Sequence, residues 1–138
     1  MNASRYVIGS IVVWVFIFLF EYLLHAVVLE GYYQDIAHLL RTTMGGEFFL
    51  WVLISEFLLS FGFCYIFIKG RENRGLAEGF RFGLLIGITF GVSSTLAHYA
   101  VYPMTGKLAA GLVIGYPVEM ILAGLIIAAI YRPKAARA

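Results

Sequence analysis

The chain has 138 residues, of which 62% are hydrophobic and 13% charged, and its formal net charge is +2. A water-soluble domain carries about 45–50% apolar and about 25% charged residues. With a mean hydropathy of +0.89, this chain lacks the polar surface to be soluble, and its composition places it in a lipid bilayer. Residues 1–138 make a single domain. No block of Lys or Arg forms a nucleic-acid-binding arm, so no nucleic-acid partner is expected. The one cysteine, Cys64, excludes an internal disulfide and reads as a small apolar packing residue.

Four continuously apolar segments, residues 6–29, 48–68, 80–102 and 108–131, are each close to the ~20 residues a helix needs to cross the hydrocarbon layer. Barrel strands would be about 10 residues long with alternating polarity. The predicted fold is therefore all-α, an integral membrane four-helix bundle. The first run follows Arg5 as a signal peptide would. It is too long for one and ends without a small-residue cleavage site, so a permanent helix is expected.

The loop after the first span, EGYYQDIAHLLRTTMGGE (30–47), places Ile36, Leu39 and Leu40 on one helical face. It reads as a short interfacial helix or an irregular loop, with Tyr32 and Tyr33 at headgroup level. His38 in the same loop reads as solvated. The second loop, KGRENRGLAEGFR (69–81), carries Lys69, Arg71, Arg74 and Arg81. Together with Arg5 and the tail residues Arg132, Lys134 and Arg137, these are eight of the ten basic residues, leaving Arg41 and Lys107 on the opposite side. The positive-inside rule then puts both termini and the second loop in the cytoplasm, as expected for a multi-pass protein of a bacterial inner membrane.

In the third span Gly79, Gly83, Gly87 and Gly91 recur every fourth residue, and the fourth span repeats the spacing with Gly111 and Gly115. Small residues at this interval make a glycine-zipper face that another backbone can approach closely, from this chain or from a second one. Pro117 removes a backbone donor inside the fourth span, and a kink or hinge is expected there. Pro103 marks the end of the third.

The polar residues inside the spans are the informative ones. Glu21, Glu56 and Glu119 are three of eight acidic residues, and His25 and His98 two of three histidines. A charge at the bilayer centre costs at least ~2.5–3.5 kcal/mol, so such groups face the bundle interior and mark sites or proton paths. Counting ~1.5 Å per residue from the outer helix ends places the three glutamates roughly 12–17 Å deep and the histidines roughly 6–8 Å deep. Glu21 and His25 share a face at i and i+4. His98 falls seven residues past Gly91, Glu119 four past Gly115, and Ser60 four past Glu56.

These five residues support a metal site of carboxylates and imidazoles, a proton-handling site, haem held between His25 and His98, or a purely structural polar network. Ser93, Ser94 and Thr95 read as satisfying helix carbonyls. No phosphate-binding loop, dinucleotide fingerprint, nucleophile elbow or His-Glu-x-x-His motif appears, so an enzyme is not the favoured reading.

The four spans, the tyrosine-bearing loop, EGFRFGLLIG after a basic loop and the closing YRP resemble small bacterial inner-membrane proteins of uncharacterised function. That resemblance implies no activity or residue roles. The chain is also superficially similar to the small multidrug transporters, which have four spans and a membrane glutamate in the first. It departs from them in Glu56, Glu119, the two histidines and the long loop. Two further functions follow as expectations. One is an accessory subunit docking a larger membrane complex through the Gly79/Gly83/Gly87/Gly91 face. The other is a small proton-coupled transporter acting as a homo-oligomer, a dimer, with Pro117 as hinge.

Overall fold

The computed structural model describes residues 2–41 and 46–131. Residues 42–45 of the first loop and the basic tail with Arg132, Lys134 and Arg137 lie outside the described residues. Regular structure within them is entirely helical. Helix α1 (Ala3–Leu23) runs into a π-helical turn, Leu24–Val28. A short α2 (Glu30–Tyr33) is followed by a 3-10 turn, Gln34–Leu39. Then come α3 (Glu47–Gly70), α4 (Leu76–Ile86), a π segment Gly87–Val92, α5 (Ser93–Val101) and α6 (Gly106–Ile130). Four continuous helices are long and apolar enough to cross a membrane: Ala3–Val28, Glu47–Gly70, Leu76–Val101 and Gly106–Ile130.

Local chemistry fixes the helix ends. Asn2 and Thr105 cap α1 and α6, accepting from the N–H groups of Arg5 and Leu108 at 3.0 and 3.2 Å. Gly46 and Gly75 precede α3 and α4 with φ of +66° and +70°, a turn that glycine adopts without steric cost. The third span begins at Leu76 instead of residue 80 because Glu78 is not a stray charge in an apolar run. It is buried, and its carboxylate accepts from the N–H groups of Glu72 and Arg74, closing the basic turn onto the helix N-terminus. Nearby, Arg71 donates to the Tyr131 carbonyl and lies 5.0 Å from that ring, and the Asn2 N–H donates to the Tyr131 hydroxyl at 2.6 Å. The basic turn, the start of the first span and the end of the last are thereby tied together.

The spans are arranged in the order α3, α1, α6, then the α4–α5 span. The glycine face of the third span is filled from within the chain. A Cβ at Gly79 or Gly83 would collide with the α6 backbone at Gly124 or Met120, and Cβ atoms at Gly87 and Gly91 would lie 2.6 and 2.5 Å from Pro117 Cα and Tyr116 Cβ. Gly111 and Gly115 serve another contact, admitting Leu29 and Leu24 of the first span. Helix α6 continues as one element through Pro117. The departure from regular α geometry falls in the segment it faces, Gly87–Val92.

Two apolar cores result. One, toward the basic turn, gathers Val13, Ile17, Phe63, Phe67, Met120 and Ile127. The other, toward the first loop, gathers Leu24, Leu29, Ile36, Leu108 and Leu112. Ile36 reaches down from the 3-10 turn into the second core, whereas Leu39, Leu40 and His38 stay exposed. Glu21 lies on α1 between Ile17 and Leu24, and Glu119 on α6 between Leu112 and Met120, so a polar layer separates the two cores.

Candidate functional site

The polar layer is built by three helices. Glu119 of α6 is only 1% exposed and Glu56 of α3 is 7% exposed. Glu119 lies close enough to both Glu21 and Glu56 for their charges to interact, with Glu21 within side-chain hydrogen-bonding reach. Glu56 also senses Glu21. Three carboxyl groups from three spans therefore meet around α1. Glu119 Oε1 and Glu56 Oε2 are buried without a hydrogen-bond partner. Ser60 shares the buried face of Glu56 and donates to the Phe57 carbonyl at 2.9 Å.

Toward the loop end, Glu21 continues into a hydrogen-bonded chain. His25 Nε2 is 2.7 Å from a Glu21 oxygen, and His25 Nδ1 is 2.5 Å from the Tyr33 hydroxyl. Burial, reinforced by the Glu21 carboxylate, pushes the Tyr33 hydroxyl up to about 12, so the phenol keeps its proton at neutral pH. The geometry then reads Tyr33 O–H donating to Nδ1 and Nε2–H donating to Glu21. Placing His25 in the π turn and folding α2 back over it brings Tyr33, eight residues on, to the imidazole. Tyr116 of α6 flanks the same ring, with centroids 6.3 Å apart.

A cavity of about 230 Å³ opens beside this layer, between the second and third spans. Glu21, Tyr116 and Glu119 line it on one side, Leu59, Ile86 and Phe90 on another, with Ser94, Thr95 and His98 toward the loop end. Thr95 donates to the Gly91 carbonyl at 2.8 Å. His98 also borders a second, apolar cavity of about 300 Å³ under Ile36, Leu39 and Leu40. It is exposed and adjoins Tyr102, 5.5 Å between centroids. Thr95 takes the buried position on that helix, because α5 packs on α6 and leaves its other side open.

The five residues singled out by the sequence thus divide. Glu21, Glu56 and Glu119 meet, His25 joins them through Glu21, and His98 stands at the cavity rim. No group of three or more His, Cys, Asp or Glu side chains among the described residues is arranged to hold a metal ion. Both nitrogens of His25 are engaged, leaving neither for haem iron. The face proposed for docking a larger complex is covered by α6. Tyr33 and Tyr116 escaped the sequence reading. Tyr116, three residues before Glu119, was detectable as a same-face neighbour, whereas Tyr33 depends on the fold of the loop.

The fold and polar layer define an all-helical chain with four helices of membrane-spanning length. No family model, no curated protein and no solved structure matches it.

Proposed function

We propose that this is a multi-pass protein of a bacterial inner membrane, termini in the cytoplasm, that takes up and releases protons at a shared carboxyl cluster of Glu21, Glu56 and Glu119. The observation that carries the reading is the meeting of three acids from three spans between two apolar cores. Neighbouring carboxyls titrate as a unit, which lets a cluster hold and pass a proton without holding a metal. The chain Glu21–His25–Tyr33 supplies a relay toward the first loop, the non-cytoplasmic side in the orientation favoured by the basic residues.

The test is infrared difference spectroscopy of the protein in lipid, titrated with pH. The protonated-carboxyl band of the wild type should shift or vanish in Glu119→Gln and in Glu21→Gln. Identical spectra in all three would overturn the reading. A second reading, a small proton-coupled transporter, is favoured by the cavity that opens between spans beside Glu119. It requires flux of a second solute that responds to a pH gradient in vesicles and is lost in Glu21→Gln.

A further inference from the structure

The cavity beside Glu119 has features that proton transfer alone does not require. The second and third spans barely pack against each other; Phe82 bridges to Phe63 and Phe67 at 4.8 and 5.4 Å near the basic turn, and beyond it the spans part. The mouth of the gap is formed by Leu59, Phe90, Ser94 and His98, all exposed on the surface that would meet lipid. Its walls are mostly apolar, and its floor carries Glu21 and Glu119.

Glu119 Oε1 is the decisive atom. It belongs to a side chain 1% exposed, on the floor of the cavity, and no protein group donates to it. A buried acceptor without a donor is costly, and the cost is removed by any occupant that brings one. The donor must come on an apolar body, because Leu59, Ile86 and Phe90 flank the approach. Charge favours a cation over a neutral alcohol. Three carboxyls meet at this depth with His25 as their one basic neighbour, and no Lys or Arg lines the cavity. The volume of about 230 Å³ is below the ~300–1,000 Å³ of sites that enclose a drug-sized ligand. It suits a polar head with its adjoining carbons, the rest of the tail lying in the bilayer.

We propose that this cavity binds a lipophilic ammonium, an amine dissolved in the membrane that enters sideways between the second and third spans and donates its N–H groups to Glu119. The inference deepens the proton-handling reading, since it uses the same carboxyl. An ammonium arriving opposite a protonated carboxyl displaces that proton to the solvent, forming an N–H···O bond as the carboxyl O–H bond breaks.

The experiment is titration calorimetry on the full chain in phosphatidylcholine nanodiscs, with empty nanodiscs as reference and a pH dye recording released protons. The probes are dodecylammonium, dodecyltrimethylammonium, which has no N–H, and dodecanol, which has no charge. Dodecylammonium should bind saturably and about tenfold, ~1.4 kcal/mol, more tightly than either of the other probes. That advantage should disappear in Glu119→Gln and in Phe90→Trp, the latter filling the mouth from an exposed position and so independent of any folding defect at Glu119. Equal binding by the wild type and Phe90→Trp, or dodecanol matching dodecylammonium, would overturn the proposal. Absent binding with the infrared carboxyl band intact defeats this inference and leaves proton handling standing. Binding without proton release supports the amine site and counts against a shared proton.

Discussion

His25 is held at both nitrogens, and Tyr33 is the partner that the loop contributes. Its hydroxyl is pushed from 10.0 to about 12, so between those values the folded chain binds a proton that the unfolded chain has lost. Stability is therefore complete below the lower value and declines as pH rises toward the upper one. Tyr33→Phe should flatten that alkaline decline in the thermal midpoint, and an unchanged slope would contradict the assignment. Glu78 offers a second test at this scale. Its carboxylate accepts from two backbone N–H groups of the basic turn while buried, so Glu78→Ala should cost about 1.5–3 kcal/mol in detergent unfolding. Glu72, half-exposed in its contact with Arg74, should cost under about 1 kcal/mol when replaced by Ala.

Between helices the decisive contact is the third span against α6. Gly83 faces the Met120 backbone with no room for a methyl group, whereas Gly62, exposed in the middle of α3, faces open space. Opposite signs follow. Gly83→Ala should destabilise by about 1–3 kcal/mol or more, and Gly62→Ala should stabilise by about 0.5–1 kcal/mol through helix propensity; thermal unfolding reads both. The spacing of Gly79, Gly83, Gly87 and Gly91 is plain in the sequence. Their occupant is not, because small-residue periodicity describes one surface and carries no information about which helix fills it. Gly124 was missed for the related reason that it stands alone, without a small residue repeating at the same interval. The mid-span depths of Glu21, Glu56 and Glu119 were legible because ~1.5 Å per residue holds along regular helix. The surroundings of His25 and the rim position of His98 were not. They depend on π turns and on the folding of 30–39 over the bundle, which a count in multiples of 3.6 passes over.

For the molecule as a whole, the four spans were readable from composition because a bilayer demands unbroken apolar runs. The arrangement that parts the second and third spans was not, since it rests on side-chain fit at Leu24, Leu29 and Pro117 against glycines. Orientation is tested directly by replacing Cys64 and placing single cysteines at Asp35 or Asn73, both exposed. In intact cells an impermeant maleimide should label the Asp35 site and spare the Asn73 site; the reverse pattern would invert the proposed topology.

Each of the two wide turns, Leu24–Val28 and Gly87–Val92, absorbs more chain per revolution than ordinary helix. Deleting one residue from the second would shorten a 26-residue span to a length that still crosses ~30 Å of hydrocarbon. The same deletion would screw everything after it by about 100°. Ser94, Thr95 and His98 would swing off the cavity while the glycines below kept their seat on α6. A single-codon loss, ruinous in most transmembrane helices, would here leave a folded bundle with half its pocket wall turned away.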